Sequence, residues 1–171
     1  MHNNLSSIRA WEAVVRSAIS VCLLACVCLG CEMPYDPEGT LERVQNGTIR
    51  AGISLNPPWT DFTSGEAVGL EPQLLNKFAE QLNARIEWTV DSESDLFRAL
   101  KHRQLDVVIG GLTSSTPWSK QAALSRPYLT IGNDEHVIAV PQGENRWLLE
   151  FDRFLQSQRR EAERYYEGEQ P

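Results

Sequence analysis

Apolar and polar positions alternate along this chain in two rhythms. Thr48 to Leu55 reads as a strand, halted by Pro57 and Pro58, with Trp59 and Phe62 in the loop at its carboxyl end. Leu74, Leu75, Phe78, Ala79 and Leu82 then recur at the spacing of one helix face. That helix is expected to start near Glu71-Pro72, because proline is tolerated in a first turn and a carboxylate suits the positive end of the helix dipole. Asn83 ends it, and Arg85 to Val90 alternates as a strand does. A second helix is predicted from about Ser92 to His102, with Leu96, Phe97 and Leu100 inward. The β-branched run Val107-Val108-Ile109, bounded by Gly110 and Gly111, reads as a buried strand of a parallel sheet. Right-handed crossovers turn such a β-α-β-α-β order into a parallel sheet with helices on its faces.

Further on, Tyr128 to Ile131 and His136 to Val140 read as two strands separated by a Gly132-Asn133-Asp134 turn. Gln142-Gly143-Glu144 leads into a long helix with Trp147, Leu148, Phe151, Phe154, Leu155, Ala162 and Tyr165 as its apolar stripe. Core packing explains the stripe, and a partner-binding face is the alternative. The expected class is α/β: one lobe with a mostly parallel sheet, helices on both faces, and a long C-terminal amphipathic helix.

The front of the chain follows a different logic. Arg9 and Arg16 precede an apolar run from Ala18 to Gly30, which reads as a secretory leader. The run is too short for a membrane-spanning helix, which needs about 20 apolar residues. All four cysteines (Cys22, Cys26, Cys28 and Cys31) lie in or at the end of it, so the downstream domain has no disulfide framework. A lipoprotein signal fits this crowding better than a metal cluster does. Leu29-Gly30-Cys31 ends the apolar run and opens onto Glu32, which favours Cys31 as the lipidated N-terminus. Leu23-Leu24-Ala25-Cys26 is the competing site. The expected organisation is a leader over 1–31, a linker over 32–40, the lobe over 41–166 and a tail over 167–171. The location implied is the periplasm, with the protein anchored by lipid to an envelope membrane.

Charge narrows the partners. The formal net charge is −7, and losing Arg9, Arg16 and Glu12 with the leader makes it one unit more negative. An acidic domain without a basic run is a poor match for nucleic acid, whose affinity rests on Lys and Arg neutralising phosphates.

Candidate chemistry concentrates after the third strand. Open α/β sheets bind ligands outside the carboxyl ends of their strands. There Gly110 and Gly111 admit close backbone approach, and Thr113, Ser114, Ser115 and Thr116 offer donors and acceptors. An ordinary strand-to-loop turn is the plainer explanation. Several segments stand together in order: Gly47-Thr-Ile-Arg-Ala-Gly-Ile53, Asn56-Pro-Pro-Trp59, Gly69-Leu-Glu-Pro-Gln-Leu-Leu75, Leu96-Phe-Arg-Ala-Leu100, Gln104-Leu-Asp-Val-Val-Ile-Gly-Gly-Leu-Thr113 and Ser125-Arg-Pro-Tyr128. Through them the region from about Leu41 to Tyr128 resembles the family 3 solute-binding proteins, periplasmic receptors that deliver amino acids and related solutes to ABC transporters.

The resemblance implies a periplasmic-binding-protein-like lobe, a small-molecule solute as ligand, no cofactor, and an inner-membrane transporter or other envelope protein as partner. Family members have two lobes closing on a ligand, whereas this chain carries one evident lobe. The Gly132-Asn133-Asp134 turn stands where a second lobe would be inserted, or else the pattern is truncated after the first crossing and the last helix is unrelated to the family. The resemblance points to Asn56, Trp59, Gly111, Thr113, Ser115 and Trp118 as ligand-binding residues. Amino-acid-binding relatives carry, at the Trp118 position, an arginine that grips the ligand carboxylate bidentately. Lys120 does not reproduce that fork, and Arg126 sits where relatives carry an acid. An aromatic-walled cleft suits a ring, a sugar face or an organic cation.

An enzyme needs a nucleophile with a base, a paired acid and base, or a metal set. His102 and His136 are far apart, and no Gly-x-Ser-x-Gly or His-Glu-x-x-His pattern occurs. The expectation is therefore a non-catalytic receptor with altered specificity. The alternatives are a degenerate regulatory or adaptor lobe on an envelope transporter or enzyme, and a small dehydratase-like enzyme.

Overall fold

The computed structural model describes residues 35–168. The leader, Cys26 and Cys31, the first residues of the linker and positions 169–171 lie outside the described residues.

A five-stranded sheet organises the lobe. Its strands are β1 (Thr48–Ile53), β4 (Arg85–Val90), β5 (Val107–Ile109), β6 (Ala123–Leu124) and β9 (Ala139–Val140), in the order β4-β1-β5-β9-β6. β4 and β5 flank β1 in parallel, with Ile53 opposite Val90 on one side and Ile109 on the other. β9 runs antiparallel to both β5 and β6. The chain leaves β1 for one side of the sheet and crosses back to the other. The carboxyl ends of β1 and β5 thus form a topological switch point, where open α/β sheets hold their ligands.

Two helical layers cover the sheet. Ile49, Ala51, Ile53, Val107 and Ile109 share one core cluster with α1 (Thr40–Val44), α2 (Leu70–Gln81) and α4 (Asn145–Tyr166). Val108 points the other way, into a smaller cluster with Leu96, Phe97 and Leu100 of α3 (Glu93–Lys101). This is the period-two alternation of a strand buried on both faces. Gly52 belongs to the α3 face for a steric reason. A Cβ there would lie 2.7 Å from Leu105 Cδ1 and 2.8 Å from Leu96 Cδ2.

The boundaries follow local chemistry. Ser92 caps α3 by accepting from Asp95 N, and Asp95 and Arg98 pair along its first turns. In α4, Phe151 meets Phe78 of α2 edge-on at 4.4 Å between centroids, and Trp147 donates from Nε1 to Asp106 O at 2.8 Å. The long C-terminal stripe is thus core packing. Asp106, buried before β5, also takes Arg50 and Arg43, fastening the amino edge of the sheet.

Two expectations about strands are corrected, and one hairpin is new. Asp134 is not in the turn: Leu129–Ile131 (β7) pairs with Asp134–His136 (β8), so the loop is Gly132-Asn133, with Gly132 at φ 60. A two-residue connection with a positive φ matches the right-handed twist of the strands. The run His136 to Val140 is split, since β8 ends at His136 and β9 begins at Ala139 in a different sheet. A second hairpin, β2 (Asp61–Thr63) with β3 (Glu66–Val68), turns through Ser64 and Gly65 at φ 55 and 88, ahead of α2.

Candidate functional site

The candidate crevice is built from the carboxyl ends of β1 and β5. Ser54 N donates to Ile109 O at 3.0 Å, and Asn56 Nδ2 donates to Gly110 O at 2.9 Å, which ties the two loops together. Thr60, fully buried, donates its hydroxyl to Ser54 O and accepts from Asn56 N, and so shapes the loop carrying Trp59. The Trp59 indole lies over Gly111. A Cβ on Gly111 would fall 2.5 Å from Trp59 Cδ1 and 2.6 Å from Asn56 Nδ2, and its φ is +66. Glycine is thus required there twice, for space and for conformation.

Beneath this floor lies Glu71, which is fully buried. Its Oε2 accepts from Gly110 N at 2.8 Å and from Gly111 N at 2.9 Å, while Oε1 accepts from Tyr128 Oη at 2.6 Å. Burial raises its pKa above the ordinary glutamate value, and the three donors oppose that rise. The same desolvation, together with the neighbouring carboxylate, pushes the Tyr128 phenol well up. Glu71 captures the two strand-end N–H groups that would otherwise face a ligand. Around this floor, Gly111 O and Asn56 Oδ1 accept no hydrogen bond among the described residues, and Thr113 N and Ser115 N donate none.

Thr113 Oγ1 and Ser115 Oγ are 2.9 Å apart, and Thr113 bridges to His136. His136 in turn stacks on Trp59 with ring centroids 3.9 Å apart. Asn56, Trp59, Gly111, Thr113 and Ser115 are therefore one connected set. Trp118 is placed apart from them. It stacks on Phe97 of α3 at 5.3 Å and donates from Nε1 to Glu93 Oε2 at 2.9 Å, on the opposite face of the sheet from Trp59. Lys120 is exposed, and Arg126 pairs with Asp152 of α4 at 3.5 Å.

Sequence reasoning missed the roles of Glu71 and His136. Stepping the α2 stripe back from Phe78 and Leu74 lands on position 71, a core-facing place for a carboxylate, and that was the available signal for Glu71. His136 carried none, because its position depends on a hairpin that returns from a distance.

A pocket of about 250 Å³ opens at the other edge of the sheet, lined in part by Arg43, Arg50, Arg103 and Asp106. Its arginines are matched internally, Arg43 and Arg50 by Asp106 and Arg103 by buried Glu144. Among the described residues no group of three or more His, Cys, Asp or Glu side chains could hold a metal. No described helix is long and apolar enough to cross a membrane.

A three-stranded parallel core with an open strand-end crevice, one antiparallel return and a long closing helix is a periplasmic-binding-protein-like lobe. The chain belongs to the bacterial extracellular solute-binding proteins, family 3, whose model matches residues 49–166. The membrane-bound lytic murein transglycosylase F of Vibrio cholerae is 31% identical over 109 residues, covering 62% of this chain and 20% of that protein. The arginine-binding periplasmic protein of Mannheimia haemolytica is 30% identical over 80 residues, covering 44% of this chain and 34% of the relative. The chain thus spans about a fifth of the length of the transglycosylases it matches. The arginine-bound form of domain 1 from TmArgBP has the same fold, with a TM-score of 0.61 at 24% identity over 68% of this chain and 97% of that one.

Proposed function

We propose that this lobe is a non-catalytic solute receptor whose crevice prefers ligands with a cationic or aromatic face over free α-amino acids. Lipid on Cys31 tethers it to an envelope membrane on the periplasmic side. The observation that carries the specificity is the capture of Gly110 N and Gly111 N by Glu71, in a site whose arginine position is Trp118. A carboxylate approaching this floor finds Gly110 N and Gly111 N already engaged and no guanidinium fork at position 118. It forgoes a charge-assisted contact worth roughly 1.5–3 kcal/mol, or about one to two decades of affinity. An ammonium or guanidinium meets Gly111 O, Asn56 Oδ1 and the Thr113–Ser115 hydroxyl pair.

Calorimetric titration with arginine and with agmatine, its decarboxylated counterpart, isolates the carboxylate. Agmatine should bind at least as well as arginine, with arginine weak. Submicromolar arginine binding with agmatine far weaker would overturn the reading.

A second reading is supported by kinship with one fifth of a longer murein transglycosylase. There the lobe acts as a regulatory or adaptor unit on an envelope enzyme or transporter, and the solute is its signal. Agmatine-class binding with no associated transport would favour this version.

A further inference from the structure

Trp59 is the aromatic wall of the crevice, yet its indole already stacks on two rings of the chain itself. His136 stacks on it at 3.9 Å with 30° between ring planes, and Tyr166 stacks on it at 5.7 Å with 6°. His136 and Tyr166 are thus both stacked against the same indole. The two neighbours differ in how firmly they are held. His136 is 5% exposed and sits in β8, bridged to Thr113. Tyr166 is 47% exposed and is the last residue of α4, with no hydrogen bond from its hydroxyl among the described residues. The preceding turn is moored, since Ala162 is fully buried and Glu161 pairs with Lys77 of α2. A side-chain rotation at Tyr166 therefore suffices to bare the indole without unseating the helix.

We propose that Tyr166 is a self-cap on the ligand wall: it occupies the stacking face of Trp59 and is displaced when a ring or organic cation binds. The proposal rests on the solute-receptor reading of the crevice and adds a competitor from within the chain. Removing the ring should free the face without touching the floor. An aromatic pair contributes about 0.5–1.5 kcal/mol, so its loss should tighten binding of a stacking ligand roughly 2- to 10-fold.

The test uses the full chain, Tyr166→Ala and Tyr166→Phe, with two readouts. One is acrylamide quenching of the Trp59 emission, taken as the difference from the same background carrying Trp59→Phe. The other is the calorimetric Kd for benzyltrimethylammonium. Higher quenching and tighter binding in Tyr166→Ala, with Tyr166→Phe like the parent, is the expected result. Unchanged quenching, or weaker binding in Tyr166→Ala, would overturn the cap while leaving the receptor reading standing. Higher quenching with no binding in any variant would overturn the receptor reading, and with it the ligand competition.

Discussion

Glu71 is buried with three donors and no cation, so its worth lies in the groups it satisfies. Glu71→Ala would strand Gly110 N, Gly111 N and the Tyr128 hydroxyl. Unpaired buried polar groups cost about 1–3 kcal/mol each, and partial relaxation brings the expected total to roughly 3–5 kcal/mol. Glu71→Gln keeps one carbonyl oxygen for both glycine N–H groups and should cost under about half as much. Urea denaturation of the two variants decides the point. Equal losses would mean that packing volume, not hydrogen bonding, is what Glu71 contributes. The sign of its titration is also set. Its folded pKa is raised, so the stability it contributes is fullest at low pH and is lost as pH rises from the ordinary glutamate range through the raised value.

At the scale of elements, the β-α-β-α-β order was legible because each segment carries its own period: the α2 stripe, the alternation of β4, the β-branched run of β5. The place of the candidate crevice was legible in the same way, since a switch point follows from strand order. The two short hairpins were not fully legible. β2 and β3 have too few residues to show a period, and β8 and β9 join different sheets although they adjoin in sequence. The placement of Trp118 was not legible for a related reason: a loop indole has no period to say which face it takes, and here it packs on Phe97 and bonds Glu93.

The β7–β8 hairpin carries a further consequence. It delivers His136 into a place where Nδ1 is buried without a partner, and desolvation lowers its pKa below the usual histidine value against the opposing pull of Asp134. Trp59 and Tyr128 pack on it and Thr113 and Leu129 pair with it, and none of these carries a charge. A depressed histidine contributes stability that is present above about pH 6.5 and is lost as pH falls toward the folded value. Thermal unfolding should show His136→Phe losing less stability than the parent between about pH 7 and pH 5. Parallel curves would place the acid sensitivity elsewhere, since Glu71 works in the opposite direction.

At the scale of the molecule, one lobe leaves the carboxyl edge of its sheet facing solvent. Four large apolar side chains stand exposed there or on the elements flanking it: Leu55, Val68, Val90 and Tyr166. A half-cleft buries less of a ligand than a closed pocket does, so on the receptor reading proposed above the lobe gains from being held beside the membrane. A tether does this, and the front of the chain supplies a candidate. Acyl chains bury at about 0.8 kcal/mol per CH₂, so a multiply acylated cysteine is held stably while a single chain is not. Cys31 ends the apolar run and is followed by polar Glu32, whereas Cys26 would leave Val27 to Leu29 exposed on the mature protein. Cys31→Ser should therefore abolish palmitate labelling in cells and move the protein out of the detergent phase, while Cys26→Ser should leave both intact. The reverse pattern would shift the anchor to Cys26, and labelling that survives both substitutions would remove the lipid tether from this reading of the protein.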